Sequence, residues 1–382
     1  MKDSLVERSF GFYLRILQFL GYYPPEKYKN LYAIYAYIVY CVFSVPIPIL
    51  ATLNLVLTEN LNLSKISENA FIISQMCGSI FKLLPFIKNA TSIKRNIYTL
   101  ESPIFTSYTK QQEVIIDECV YTCRRNCRTF FKLVVFAVIS WTMIPFFEDE
   151  MRLPIDIWLP CNLKSNPRIF RLVFVILVFG VGNCAHVNAI VDTLLSGLLC
   201  HAIHQIRILK DNLQFLEESA LKDEKFKNEF IYRKISKCVG HHEAILQFVA
   251  NFEDLYSSAI FSQFLASIVV ICITCLQMTM LEPLTFPFFS MVMFLMTMFT
   301  EIYFYCYYGT ALYEESNTLT NAIYTAKWYD YDPRSKKALI ILMERSKKPI
   351  VVTAGRILDL SLDTFIKILR RAYSLLAVFQ NQ

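Results

Sequence analysis

Residues 350–380, IVVTAGRILDLSLDTFIKILRRAYSLLAVFQ, decide the fold. A helix that crosses a bilayer needs about 20 residues at a rise of about 1.5 Å each, so this stretch is long enough to span a membrane. Ionisable side chains at membrane depth face protein or water, so we predict that the helix packs with others around a central ion path. The alternative is a network of internal ion pairs, with the arginines reaching toward the headgroups. Both interpretations rest on charges at steps of three and four, which share one stripe of a helix: Arg356, Asp359, Asp363, Lys367 and Arg370.

The composition of the whole chain is that of a membrane protein. Of its 382 residues, 55% are hydrophobic and 18% are charged, whereas about a quarter of the residues in a soluble domain are charged. The formal net charge of +6 gives no reason to expect a nucleic-acid partner, because the basic residues lie between hydrophobic segments and not in one patch. We therefore predict an all-α protein embedded in a lipid bilayer.

Further hydrophobic segments precede the last one. The first 30 residues form a short amphipathic helix without a signal-peptide cleavage site, so the amino terminus is expected to stay in the cytosol. Pro46 and Pro48 predict a kink in the first span, and Lys82 in the second must be shielded by neighbouring helices. The proline-containing segment 148–168 is expected to form an ordered outer loop. The predicted spans are 31–57, 70–87, 129–147, 169–200, 257–280 and 284–308.

The distribution of lysine and arginine predicts the orientation. Most of these residues lie at the amino terminus and in the alternate segments 88–128, 201–256 and 309–349, which are therefore placed inside. After seven crossings the carboxyl terminus is outside. The predicted regions are 1–308 with six spans and a ligand pocket, 309–349 with cytoplasmic anchor helices, and 350–382 with the pore-lining seventh span. Asn62, in an Asn-Leu-Ser sequon, falls in an outer loop and is a candidate for glycosylation.

The sequence gives no sign of catalysis. Phosphate-binding loops, zinc-protease motifs and nucleophile elbows are missing from it, so neither an enzyme activity nor a cofactor is predicted. Cys119, Cys123 and Cys127 share a helical face at steps of four, but no histidines follow at zinc-finger spacing. We expect reduced thiols on a packed helix and no metal site.

Short motifs follow one another in the last fifth of the chain: Tyr305-Cys306-Tyr307-Tyr308-Gly309, Ser316-Asn317, Ala322-Ile323-Tyr324, Trp328-Tyr329, Thr353-Ala354-Gly355-Arg356, Leu360-Ser361-Leu362, Phe365, Ile368-Leu369-Arg370 and Ala372-Tyr373-Ser374. This pattern resembles the carboxy-terminal signature of the insect odorant receptors, and the order of the preceding elements is also similar. The resemblance implies seven helical spans, a cytoplasmic amino terminus, a cytoplasmic anchor domain and a tetrameric cation channel opened by odorants.

The resemblance also implies partners and a location. The long cytoplasmic insertion typical of the shared co-receptor is missing between spans four and five, so the chain resembles an odorant-tuned subunit that works with that co-receptor. Its expected location is the plasma membrane of a sensory-neuron dendrite.

The resemblance places an odorant pocket in the outer halves of spans two, three, four and six. Methionines and aromatic faces adapt to the shape of a small apolar volatile, and few polar groups there would fix its orientation. For any single residue, the alternative is packing or lipid contact. The predicted lining is Ile72, Ile73, Met76, Val134, Ala137, Val138, Trp141, Val173, Leu177, Gly180, Phe288, Met291 and Phe294.

Two further sites come from the resemblance. Val378 matches the position of a hydrophobic gate near the end of the seventh span, with Ser374, Leu375 and Ala377 close by, and such a ring holds a pore shut by dewetting. Arg370-Arg371 departs from the usual pattern, in which a small residue follows one basic residue. The candidate subunit anchor lies in 309–329, and its alternative is an interfacial aromatic belt. The anchor residues are Tyr324, Trp328 and Tyr329.

Three other functions remain as alternatives. A gustatory-type channel of the same superfamily is disfavoured because its terminal signature is not matched. A G-protein-coupled receptor has an external amino terminus, opposite to the orientation predicted here. A transporter is disfavoured because the sequence shows no evident internal repeat.

Overall fold

The computed structural model describes residues 4–23, 25, 29–58, 63–147, 152–160, 166–217 and 224–380. Nearly all of the described chain is helical, which confirms the predicted fold class. Single helical turns lie at Tyr40–Ser44, Thr99–Glu101, Ile144–Phe147 and Trp328–Asp330, and one small hairpin joins β1 (Thr353–Ala354) to β2 (Leu358–Asp359). The α-helices are α1 Leu5–Phe19, α2 Lys29–Val39, α3 Pro46–Leu57, α4 Leu63–Lys88, α5 Ala90–Tyr98, α6 Pro103–Thr106, α7 Glu113–Met143, α8 Pro167–Gln214, α9 Glu224–Met280, α10 Phe286–Asn317, α11 Leu319–Thr325, α12 Pro333–Ser346 and α13 Leu362–Gln380.

Six helical stretches in the described ranges are long and apolar enough to cross a membrane, and each overlaps one of the first six predicted spans. They are Asn30–Leu57, Asn69–Lys88, Glu113–Phe147, Pro167–Gln214, Lys227–Met280 and Phe286–Thr325. The helices α8 and α9, with 48 and 57 residues, are far longer than the roughly 20 residues that a bilayer requires. Both therefore continue well beyond the membrane, as predicted for span four.

The first span is interrupted where its prolines predicted an irregularity. The turn Tyr40–Ser44 is π-helical, and the Val45 N–H donates to the Tyr40 carbonyl at 3.2 Å. Pro46 then begins α3, where its missing N–H costs no helical hydrogen bond. Pro48 follows within the first turn of the same helix.

The described part of the outer loop, 152–160, is ordered by backbone hydrogen bonds to the spans. The Trp158 N–H donates to the Leu50 carbonyl and the Asp156 N–H to Asn69 Oδ1, both at 3.0 Å. Ile155 is buried beneath them. Asn62, the candidate glycosylation site, lies outside the described residues.

The prediction of one helix over 350–380 was wrong in its first third. Residues 353–359 form a hairpin in which Thr353 pairs with Asp359 and Ala354 with Leu358. Its turn needs positive φ at Gly355 (62°) and Arg356 (58°), a conformation that α-helices do not contain. Arg356 and Asp359 therefore do not share a helical stripe with the later charges, and Arg356 instead bonds Asp254 of α9 at 2.9 Å.

The final helix, α13, begins only at Leu362, after Ser361, whose Oγ accepts the Thr364 N–H at 3.2 Å. Its 19 residues span about 28 Å, close to the roughly 30 Å of a hydrocarbon core. Ile368 and Ala372 are buried, because α13 packs against α9 and α10. The opposite side is exposed on the single chain and carries Asp363, Lys367, Arg370 and Arg371.

The candidate anchor segment 309–329, expected to be a cytoplasmic helix separate from span six, does not begin a new helix. The helix α10 continues through Gly309 to Asn317, so the predicted region boundary at 308/309 falls inside a helix. A Cβ atom at Gly309 would lie 2.1 Å from the Leu360 carbonyl oxygen. Glycine is present because the segment after the hairpin packs directly on the α10 backbone.

Candidate functional site

A cavity of about 90 Å³ lies between α4, α7, α8 and α10. Each helix contributes side chains at steps of three or four, so one face of each helix borders the same space. Most of the lining is apolar: Phe71, Ile72, Met76, Phe130, Val134, Ala137, Val138, Trp141, Val181, Cys184, Ala185, Ala189, Met291, Phe294 and Met298. The polar lining is Gln75, Ser79, Asn188, Asp192, Ser290, Thr297 and Glu301.

The structure brings eight of the predicted pocket residues to this cavity: Ile72, Met76, Val134, Ala137, Val138, Trp141, Met291 and Phe294. Their place in the lining is a structural fact, while their contact with an odorant stays a prediction. The whole predicted set on α7 is included, because that helix turns a single face to the cavity.

The other five predicted pocket residues do not border the cavity. Ile73 and Val173 pack, partly buried, on an adjoining apolar cluster that contains the buried Leu177. Gly180 is buried, and Phe288 is half-buried. The α8 lining begins at Val181, one residue after Gly180, and the α10 lining begins at Ser290, so the cavity lies further from the amino end of each helix than the predicted residues do.

A buried ionic cluster, Lys82, Asp192, Glu301 and Tyr305, lies beside the cavity. Lys82 is fully buried at 0% exposure and forms ion pairs with Asp192 and, at 2.8 Å, with Glu301. The Tyr305 hydroxyl donates to Asp192. These contacts confirm that neighbouring helices shield Lys82, and they link α4, α8 and α10 through one ammonium group and two carboxyl groups.

Sequence reasoning missed Asp192 and Glu301. Both are single acidic residues inside long apolar helices, and such residues are rare in membrane spans unless they pair or have a function. Lys82 alone was recognised, because the opposing charges come from helices more than 100 residues away along the chain.

Three buried acceptor oxygens at the cavity have no hydrogen-bond partner among the described residues: Gln75 Oε1, Asn188 Oδ1 and Asp192 Oδ2. The Asn188 amide is oriented by its own donations, from Nδ2 to Ser79 Oγ at 2.7 Å and to the Cys184 carbonyl at 2.9 Å. Buried acceptors without partners cost free energy, so this end of the cavity favours a ligand that donates a hydrogen bond.

The predicted gate residues lie near the carboxyl end of α13. Val378 is 56% exposed on the single chain, and Leu375 and Ala377 are half-buried. The Ser374 hydroxyl donates to the Arg370 carbonyl at 2.9 Å. The gate role of these residues stays a prediction.

The predicted anchor residues occupy two elements. Tyr324 lies on α11 and Trp328 on the following helical turn, and their rings meet edge to face with centroids 6.3 Å apart. Tyr324 and Tyr329 are exposed, whereas Trp328 is partly buried against the core. Exposed aromatic rings fit a subunit contact or a headgroup belt, so this role also stays a prediction.

The cysteine face of α7 is buried as predicted, and α8 places histidines beside it. Cys119 and Cys123 approach His201, and Cys119 also approaches Cys200 and His204. Each group offers three donor atoms, whereas structural zinc sites use four. His201 Nε2 already bonds Ser9 Oγ at 2.9 Å, and His204 Nδ1 bonds the Cys200 carbonyl at 2.8 Å. We interpret the cluster as packed thiols.

Comparison with known proteins gives one consistent result. The family model described as 7tm Odorant receptor matches residues 62–373. Odorant receptor Or1 of Anopheles gambiae is 25% identical, over 98% of this chain and 95% of its own length. Odorant receptor 94a of Drosophila melanogaster is 26% identical, over 84% of this chain and 82% of its own length.

Solved structures with the same fold include the insect olfactory receptor OR5 from Machilis hrabei. Its complex with eugenol superimposes with a TM-score of 0.83 at 16% identity, covering 98% of this chain and 97% of that chain. A second structure of OR5 gives a TM-score of 0.82 at 15% identity, covering 97% of both chains. At this level of identity the match shows the fold alone.

Proposed function

Because the chain belongs to the 7tm odorant receptor family, we propose that it is the odorant-tuned subunit of an odorant-gated cation channel that works with a co-receptor. It is a multi-pass membrane protein and a receptor, not an enzyme. The observation that supports ligand gating is the mainly apolar cavity between α4, α7, α8 and α10.

The proposed ligand is a small volatile molecule with an apolar body and one hydrogen-bond donor. The aromatic and methionine side chains of the cavity suit the body, because they bury apolar surface and adapt to shape. The three unpartnered acceptors suit the donor, since a ligand hydroxyl or amine would satisfy at least one of them. The receptor OR5 from Machilis hrabei, which shares this fold, has been solved with eugenol.

The proposed pore is formed where copies of α13 meet. The charged side of that helix is exposed on the single chain, so it is free to face water shared among subunits. Val378 would then belong to a hydrophobic ring that excludes water when closed. The amino terminus is proposed to be cytoplasmic and the carboxyl terminus extracellular, in the plasma membrane of a sensory neuron.

The test is current recording from cells that express the chain with its co-receptor, during exposure to a panel of volatiles. The panel pairs alcohols with methyl ethers of the same skeleton. We expect odorant-evoked cation currents that are stronger for the alcohols. Ala137→Trp, which fills the cavity, should abolish them, whereas Met143→Trp, at an exposed site on the same helix, should not.

Two results would contradict the proposal. One is surface-expressed protein that gives no current with any member of a broad panel. The other is an Ala137→Trp variant that responds like the parent chain, because the ligand would then bind elsewhere. Equal responses to the alcohols and their ethers would remove only the donor requirement.

A further inference from the structure

A second and larger groove, of about 730 Å³, lies between α1 and α7, away from the odorant cavity. Its volume falls within the roughly 300–1,000 Å³ that ligand sites occupy. The groove is basic at one end and apolar at the other. Neither the odorant function nor the proposed pore uses it.

The basic end of the groove comes mainly from α7. Arg124, Arg128 and Lys132 follow at steps of four, so they stand in one row on the helix surface. Arg8 of α1 joins them. One acidic residue, Glu7, lines the groove, and it forms an ion pair with Arg15. Positive charge is therefore in excess here.

These basic residues are not equally available. Arg8 pairs with Asp117, and Arg124 Nε donates to the Arg8 carbonyl, so these two side chains are already held in the protein. Arg128 and Lys132 are exposed, and Arg128 also meets the Tyr13 hydroxyl within the groove. They are the groups best placed to take an external anion.

The same row becomes apolar one turn further along α7. Val135, Phe136 and Ile139 line the other end of the groove, and Phe136 and Ile139 are 48% and 52% exposed. The apolar part of α7 begins after Lys132, so the change in polarity marks the level at which the helix enters the hydrocarbon core. A bound molecule that follows the row would need a charged head and an apolar tail.

We propose that this groove binds an anionic phospholipid, with its negatively charged headgroup against Arg128 and Lys132 and an acyl chain along Val135 and Ile139. A zwitterionic lipid such as phosphatidylcholine would bring a choline cation together with its phosphate and so no net counter-charge for the basic pair, and a water-soluble anion would leave the apolar end exposed. Basic pockets beside spans at the membrane surface recognise anionic headgroups for this electrostatic reason. The lipid would also fix α1 against α7 at the membrane surface.

The test uses the purified full-length receptor in nanodiscs, assembled with its co-receptor if it requires one. Fluorescent phosphatidylserine is titrated and compared with fluorescent phosphatidylcholine. Each basic residue near an anionic lipid contributes about fivefold in affinity. Arg128→Gln with Lys132→Gln should therefore weaken phosphatidylserine binding about 25-fold and leave phosphatidylcholine unchanged.

Arg125→Gln is the matched control, since Arg125 is an exposed arginine on the same helix that lies over the Tyr121 ring and does not line the groove. It should leave binding unchanged. If the double variant fails to fold, Lys132→Gln alone should still weaken binding about fivefold.

Three outcomes would overturn the proposal. One is equal binding of the two lipids by the parent chain. Another is an equal loss of binding in Arg125→Gln, which would indicate attraction to surface charge in general. The third is displacement of the lipid by inorganic phosphate at equal concentration, which would indicate a phosphate site without an acyl-chain contact.

Discussion

At the scale of single residues, the least expected feature is the ionic cluster of Lys82, Asp192 and Glu301, because its charges are buried among apolar helices. Burying charges costs several kcal/mol per ion unless each finds a partner. Here one ammonium group meets two carboxyl groups, and Tyr305 adds a hydrogen bond to Asp192. Because Asp192 and Glu301 also line the cavity between α4, α7, α8 and α10, the cluster connects the packing of three helices to the proposed ligand site.

We expect Lys82→Met to destabilise the protein strongly. The change removes the cation and leaves two carboxyl groups facing each other in a buried site, and breaking a buried pair in this way costs about 3–5 kcal/mol. The measurement is thermal unfolding of the purified receptor, together with its surface expression. Lys337→Met, at an exposed lysine of α12, should change neither. Unfolding of Lys82→Met at the parent temperature would show that the ion pairs do not stabilise the fold.

At the scale of elements, the length of the hydrophobic segments predicted the spans, whereas the spacing of charged residues did not predict the local backbone conformation. The first six spans were predicted from hydrophobic length, since few other structures satisfy an apolar run of that size. The hairpin at 353–359 was missed because Arg356 and Asp359 happen to continue the helical spacing of Asp363 and Lys367. Two successive residues at positive φ override that spacing, and charge periodicity does not report them.

The cavity between α4, α7, α8 and α10 shows the same limit. Four of its five α7 residues were predicted, because one helix face holds all the α7 residues that were named, and only Phe130 was missed. Its polar end was not predicted, because Lys82, Asp192 and Glu301 are brought together by packing of distant helices. The cavity also begins further along α8 than the predicted pocket residues, since the sequence does not fix how far the helix is shifted along its neighbours.

We expect Gly355→Ala to weaken the attachment of α13 to α9. Gly355 has φ of 62°, and a Cβ atom there would lie 2.7 Å from Phe261 Cγ. Left-handed strain and overpacking together cost of order 2 kcal/mol. Odorant-evoked current per surface receptor should fall, and the unfolding temperature should drop.

Gly182→Ala is the control for Gly355→Ala, because its Cβ would make only an ordinary 3.7 Å contact with Val138. Its unfolding temperature and currents should stay close to those of the parent chain. Equal behaviour of the two variants would mean that the hairpin does not hold α13 in place.

At the scale of the whole molecule, a single chain leaves one side of its last helix without a protein partner among the described residues. Ile366, Tyr373 and Val378 are exposed there beside Lys367 and Arg370. Exposed apolar patches rimmed by polar groups mark surfaces that contact another protein or the membrane. Assembly with other subunits would cover the apolar groups and leave the charges facing water, which is the arrangement that an ion pathway requires.

This arrangement predicts a pattern of chemical accessibility along α13. In the assembled channel, Val378→Cys should react with a membrane-impermeant thiol reagent added outside, and the reaction should reduce odorant-evoked current, because the added group would narrow the pore at its hydrophobic ring. Ile368→Cys should not react, since Ile368 is buried against the neighbouring helices of its own subunit.

The measurement is the rate of current loss with and without odorant, and the odorant should accelerate this loss at Val378 if that ring widens on opening. Absence of reaction at Val378 in both states, with reaction at Ile368, would place the exposed side of α13 against protein or lipid and would move the ion path to another helix.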